Sequence, residues 1–274
     1  MKLSQTKAEL YWDPAIEKHL EHCGRLCYSS FDRATETSAI PFLEDKVKLG
    51  HWSVLEHAGI DTTVNMPYLD KLKEDSPEFG LVMSRAVLGG IRYSDLIKYS
   101  SKYDTFEKAI NDKSLKRDSY LYSFDIHCSR YISQQFERHR NLSYVERSLR
   151  FCKMTKDKFG VIIPGAIKDP ELLKKMEAHI EQSIDLYSYL CEQKCRKDDA
   201  RSVLPLCTET RLIATGQLTW WLDFLVKRYT AVASHEMIKL CRDIYTQLPD
   251  TVKDIFNKEH KEQKEAADEC IKDE

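Results

Sequence analysis

The run Tyr122, Phe124, Ile126, Cys128 constrains this chain more than any other. Apolar residues at every second position place one side of an extended strand on a core and leave the other side for different company. The period then changes within one residue. Ser129 is a helix-capping type, and Tyr131, Ile132, Gln135 and Phe136 follow at helical spacing into Arg138. A second alternating run, Ala58, Ile60, Thr62, Val64 and Met66, predicts another strand, and Thr208 to Thr215 reads as extended. The remaining pattern is helical. Asp13-Pro14 opens a helix to about Cys27, and Pro41 to Leu49 forms a second, stopped by Gly50. Ser84 to Tyr99 reads as helix despite Gly89-Gly90. Asp169-Pro170-Glu171 starts a long amphipathic helix through Leu173, Met176, Ile180, Ile184 and Tyr187 to about Cys195. Asp198 begins a short helix that Pro205 ends, and Gln217 to Arg228 and Ala233 to Gln247 add two more. Strands and helices do not alternate regularly. The expected class is therefore α+β: a single domain over 1–274 with a central, mostly antiparallel sheet flanked by helices. Residues 100–120 read as a polar surface excursion. The tail from about Lys253 is almost all charged and reads as a solvated, frayed helix without a site of its own.

Composition narrows the function. The 274 residues are 42% hydrophobic and 10% aromatic, a globular balance, and the net charge of −2 argues against a general nucleic-acid partner. No run approaches the ~20 apolar residues of a membrane span. FGVIIPGAI and LTWWLDFLV are short and broken by Pro164 and Asp223, and MKLSQTKAELYWD has no apolar export core. A cytoplasmic protein with no membrane partner is expected. Nine cysteines at irregular spacing read as free thiols in a reducing compartment. His19, His22, Cys23 and Cys27 would share one helix face. A metal centre usually draws ligands from two elements, and the plainer reading is small core cysteines flanked by histidines, so no metal is expected. Cys191, Cys195 and Cys207 likewise read as packing residues.

The segment RHRNLSYVERSLRF, Arg138 to Phe151, is the chemical exception. It holds four arginines against one glutamate. Asn141, Leu142 and Ser143 break the helix after Arg140, so Arg138, His139 and Arg140 fan out of a loop. Guanidinium forks grip phosphate oxygens in pairs, and serines and backbone amides complete such a cradle. Glu146 does not suit a plain phosphate clamp; a carboxylate there binds a ribose hydroxyl or fixes an arginine. The competing reading is a solvated charged face with local ion pairs.

The same segment resembles the signature of the flavin-dependent thymidylate synthases, the ThyX family, written RHRxxSxNExSxRY. Arg138, His139, Arg140, Ser143, Glu146, Ser148 and Arg150 match it, with Val145 in the asparagine position and Phe151 in place of tyrosine. GHWSVLEHA resembles an upstream family block through His51, Ser53, Glu56 and His57, and GRLCYSS is similar to a stretch lining the family's flavin site. ARSVLPLCTETRLIATGQLTWWLDFLVKR resembles the downstream block through Arg201, Leu204, Pro205, Thr210, Thr215, Phe224, Leu225 and Arg228. Residues 67–116 look like an insertion. Gln217, Thr219, Asp223 and Val232 depart from the family pattern on its flavin side.

The resemblance implies conversion of dUMP to dTMP, with methylenetetrahydrofolate as carbon donor, FAD as hydride carrier and NADPH as reductant. It implies that Arg228 is catalytic and stabilises charge on the uracil ring. The dUMP site would comprise Gln135, Arg138, Glu146, Ser148, Arg150, Arg201 and Arg228. The FAD site would comprise His51, Ser53, Glu56, Arg138, His139, Arg140, Glu146, Gln217 and Asp223. It further implies a homotetramer with shared active sites, for which the Trp220-Trp221 pair offers a further hint as an apolar surface needing a partner. Two other classes compete: a degenerate relative that binds nucleotide or flavin without turnover, and a nucleic-acid binder using the arginine segment.

Overall fold

The computed structural model describes residues 2–61, 91–92, 116–117, 121–152 and 159–272. The N-terminal part contains β1 (Lys2–Leu3), β2 (Lys7–Tyr11), α1 (Ile16–Tyr28), α2 (Ala39–Lys48), a 3₁₀ segment Trp52–His57 and β3 (Gly59–Asp61). Two short strands follow, β4 (Ile91–Arg92) and β5 (Lys116–Arg117), then β6 (Leu121–Ser129), α3 (Arg130–Phe136), β7 (Ser143–Glu146) and β8 (Gly160–Val161). The C-terminal part runs α4 (Pro170–Glu192), α5 (Lys197–Ala200), a 3₁₀ turn Arg201–Val203, β9 (Glu209–Gln217), α6 (Leu218–Arg228), α7 (His235–Gln247) and α8 (Asp250–Cys270).

The central sheet has the order β2-β6-β9-β7, antiparallel throughout. β3 pairs antiparallel with both β4 and β5, and β1 pairs parallel with β8. The expected antiparallel sheet flanked by helices is thus present. Its two faces differ as the alternation in β6 requires. Phe124, Ile126 and Cys128 join Leu212 and Ala214 of β9 in a core closed by α3, α6, α7 and α8. The opposite positions, Ser123 and Asp125, are buried polar residues beneath α1 and the 3₁₀ segment, where Val145 and Ile213 meet Cys23 and Leu26.

Helix starts follow their caps. Ser129 Oγ accepts from Ile132 N at 3.3 Å, and Asp169 Oδ1 accepts from Glu171 N and Leu172 N at 2.9 and 3.0 Å. α1 starts later than expected, because Asp13 Oδ1 takes the Ala15 amide at 2.9 Å and turns the chain before the helix begins. Gly50 ends the second helical stretch at a φ of 71°, the left-handed conformation that glycine adopts without strain.

Several expectations are corrected. The residues from Lys253 are not a frayed tail. α8 buries Val252, Phe256 and Ala267, with Ile271 just beyond it. Gln263 Nε2 donates to the carbonyls of Val226 and Tyr229 at 3.0 and 2.9 Å, and Tyr229 Oη donates to Asp268 at 2.6 Å. The stripe is hard to read because His260 and Gln263 occupy its middle, and His260 departs from helical angles. Ile91–Arg92 is strand, not helix, because it pairs with β3; the rest of Ser84–Tyr99, like Thr62–Met66 and most of 67–116, lies outside the described residues. Cys195 is exposed at the end of α4, not a core residue. Trp221 finds its partners within the chain: it is fully buried against Phe124 and Phe224, and its indole donates to Tyr122 O at 2.9 Å.

Candidate functional site

The arginine segment is split by a strand. Arg138 to Leu142 leave the end of α3 and turn into β7, whereas Arg147 to Phe151 emerge at its far end. Four residues of strand separate the two ends by about 10 Å. Tyr144 Oη ties the first turn together by hydrogen bonds to the carbonyls of Phe136 and His139.

At the first end, Arg138, His139, Arg140, Asn141, Leu142, Trp220, Asp223, Lys227 and Arg228 line a cleft of about 320 Å³. Arg228, in the last turn of α6, is held on both sides of its guanidinium. Its Nε donates to His139 Nε2 at 2.8 Å, its Nη2 to the Gln135 carbonyl at 3.1 Å, and its Nη1 to Gln135 Oε1 at 3.4 Å. His139 can accept only while Nε2 is bare. Burial, reinforced by the Arg228 charge, pulls its pKa down to about 4, so the neutral ring persists at ordinary pH. Asp223 pairs with Lys227 at 2.7 Å. The cleft therefore presents Arg138, Arg140, Lys227 and Arg228 beside the Trp220 ring, a donor set suited to a flat, anionic ligand.

At the second end, Glu146 meets Arg130 Nη1 at 3.1 Å, and Arg130 Nη2 also donates to the Arg147 carbonyl at 2.9 Å. The carboxylate thus fixes an arginine, one outside the segment. Its other oxygen, Oε1, is buried without a partner among the described residues, as are Arg130 Nε and Arg147 Nε. A buried acceptor with no protein partner is what a ligand hydroxyl would complete. The Ser148 amide donates to Cys27 O at 3.0 Å, and Ser148 Oγ accepts from the Arg150 amide at 3.2 Å. Arg150 is exposed beside Phe151, which packs against Tyr28.

The 3₁₀ segment forms a third group. Glu56 accepts from Ser143 Oγ at 3.2 Å, which links it to the start of β7. His51 Nδ1 lies 3.0 Å from Tyr28 Oη, and His51 and Ser53 are exposed. His57 is fully buried, with Nδ1 2.7 Å from Thr215 Oγ1. Arg201 stands apart and exposed in the turn packed against α4, and Gln217 is buried at the junction of β9 and α6. The helix-face residues of α1 have different company: His19 lies beside Ser123 and His22 3.5 Å from Asp125, while Cys23 and Cys27 pack in one small apolar cluster with Leu26, Val145 and Ile213.

One cleft thus gathers Arg138, His139, Arg140, Asp223 and Arg228, with Gln135 braced behind. Sequence reasoning missed Trp220, Lys227, Arg130 and Tyr144 as site residues. Lys227 carried a signal, the opposite charge of Asp223 four residues earlier; Arg130 had none, since its partner is sixteen residues away across α3 and the turn.

The sheet thus presents a guanidinium cleft at one end of β7 and a carboxylate with one buried, unpaired oxygen at the other. Residues 118–252, which carry both, match the family described as thymidylate synthase complementing protein. A flavin-dependent thymidylate synthase of Mycobacteroides abscessus is 31% identical over 147 residues, covering 47% of this chain and 57% of that protein. One of Mycolicibacterium vanbaalenii is 25% identical over 255 residues, covering 87% of this chain and 77% of that protein. One of Thermococcus onnurineus is 32% identical over 113 residues, covering 40% and 46%. The chain is thus similar, at modest identity, to proteins named flavin-dependent thymidylate synthase. Among the described residues, no helix is long and apolar enough to cross a membrane.

Proposed function

We propose that this protein is a flavin-dependent thymidylate synthase that converts dUMP to dTMP, taking the carbon from methylenetetrahydrofolate and using FAD reduced by NADPH. The observation that carries this reading is the fixing of Arg228 by His139 and Gln135 beside Arg138 and Arg140. Uracil C5 becomes a nucleophile only as negative charge builds along N3, C4 and O4. A guanidinium immobilised before the substrate arrives stabilises that charge without reorganising. Arg228 is the residue for that role. Its Nε and Nη2 are committed to the protein, so the cation stays aimed while the cleft fills.

Gln135, Arg138, Glu146, Ser148, Arg150 and Arg201 would hold the nucleotide. The free oxygen of Glu146 suits a sugar hydroxyl, and the exposed guanidinium of Arg150 suits a phosphate. Arg138, His139, Arg140, Glu146, His51, Ser53, Glu56, Gln217 and Asp223 would hold FAD, which supplies the hydride chemistry when bound. The residues present fit such a group: the cleft joins cations to an aromatic face. A homotetramer with shared active sites is part of this reading.

A second reading is a relative that binds nucleotide or flavin without turnover. The Asp223–Lys227 pair favours it, since it places a carboxylate where the family carries an amide. Purified protein should show flavin absorbance on adding FAD, and should form dTMP from dUMP only when methylenetetrahydrofolate, FAD and NADPH are all present. Flavin binding without dTMP would support the second reading, and neither would refute both.

A further inference from the structure

Four buried side chains lie in one unbroken line between the sheet and the layer above it. His19 Nε2 is 3.2 Å from Ser123 Oγ, Ser123 Oγ is 2.6 Å from Thr215 Oγ1, and Thr215 Oγ1 is 2.7 Å from His57 Nδ1. None is more than 1% exposed. They come from α1, β6, β9 and the 3₁₀ segment, and Ser123 and Thr215 are direct partners across the sheet. Thr215 is also directly opposite Ser143, whose hydroxyl donates to Glu56.

Counting hydrogens decides how the line works. Three contacts need three hydrogens, one in each. The two hydroxyls supply two, so a histidine supplies the third. Were both histidines to donate inward, four hydrogens would crowd three contacts; were neither to donate, two bare acceptors would face each other. One ring donates and the other accepts. If His19 donates from Nε2, Ser123 donates to Thr215 and Thr215 to His57 Nδ1, which leaves the His57 hydrogen on Nε2. In the reverse sense His57 donates from Nδ1, and the His19 hydrogen sits on its own Nδ1. With both rings neutral, they carry hydrogen on the same-named nitrogen in either direction. Burial, with His22 nearby, pulls the His19 pKa down to about 4, which keeps that ring neutral.

We propose that His19, Ser123, Thr215 and His57 form a coupled hydrogen-bond line that ties the His57 tautomer to that of His19 and, through it, sets the position of the Trp52–His57 segment. They are positioning residues for His51, Ser53 and Glu56. The coupling of tautomers stands by itself; its consequence for flavin rests on the synthase reading.

The test is nitrogen-15 NMR of the imidazoles in the full chain, which distinguishes protonated from bare ring nitrogens. The expected result is that His19 and His57 are both Nε2–H or both Nδ1–H. One of each, or a doubly protonated ring, would overturn the proposal. Thr215→Val removes a hydroxyl from the line, and Ser123→Ala does so with less change in volume should the first variant fail to fold. Both should uncouple the tautomers and weaken FAD binding several-fold, while Thr215→Ser restores both. Wild-type FAD affinity in variants whose tautomers have uncoupled would overturn the positioning role. If wild-type protein binds no FAD, the positioning role falls with the flavin reading, and the tautomer measurement still decides the line.

Discussion

Arg228 is held through all three of its guanidinium nitrogens by groups that a lysine cannot serve together. A lysine ammonium could reach His139 or Gln135 but not span them in one plane. Arg228→Lys should therefore lose about 10²–10³ in kcat for dTMP formation, the scale of one lost oxyanion donor, as measured by steady-state kinetics with folding checked by circular dichroism. Arg228→Ala should abolish turnover yet barely change binding of a general polyanion, which also separates this account from a nucleic-acid binder. The buried histidines give a pH prediction. His19 and His139 both titrate near 4 in the folded chain against 6.5 unfolded, so the unfolded state binds more protons between these values. Stability should therefore fall as pH drops from about 6.5 to 4, which denaturant titrations across that range will show. A midpoint unchanged over that window would contradict the burial of both rings.

At the scale of elements, α8 decides whether the C-terminal helix is structure or ornament. Phe256 is fully buried against Tyr229 and Tyr245, and Gln263 caps the carbonyls that end α6. Phe256→Ala should cost about 3–5 kcal/mol in urea unfolding, whereas a solvated tail would show almost nothing. The sequence hid this because charged residues dominate the count while the apolar stripe needs only a few positions. β6, α3, α4 and α6 were legible because period and cap agreed locally. β2 was not legible, since KAELY has no strand-like alternation of its own. Its outer edge is satisfied from 235 to 239 residues away: Asp243 Oδ2 takes the Ala8 amide at 3.1 Å, and Gln247 bonds both Leu10 N and Ala8 O at 2.7 and 2.8 Å. The candidate site was legible as residue types in the arginine segment, but the break that β7 makes in that segment was not, because its pairing with β9 is long-range.

For the whole molecule, one sheet joins two chemistries. Its apolar face builds the core that sets α6 and thus Arg228, and its polar face carries the line that ends at His57. If sites are shared between subunits, gel filtration with light scattering should give a tetramer, and a dUMP-site variant mixed with a flavin-site variant should recover part of the activity that each lacks alone. Catalysis is tested by the release of tritium from C5-labelled dUMP by the purified protein with methylenetetrahydrofolate, FAD and NADPH. The wild type should release tritium in step with dTMP formation, and Arg228→Ala should release none. No release from wild-type protein that demonstrably binds both FAD and dUMP would contradict the synthase reading.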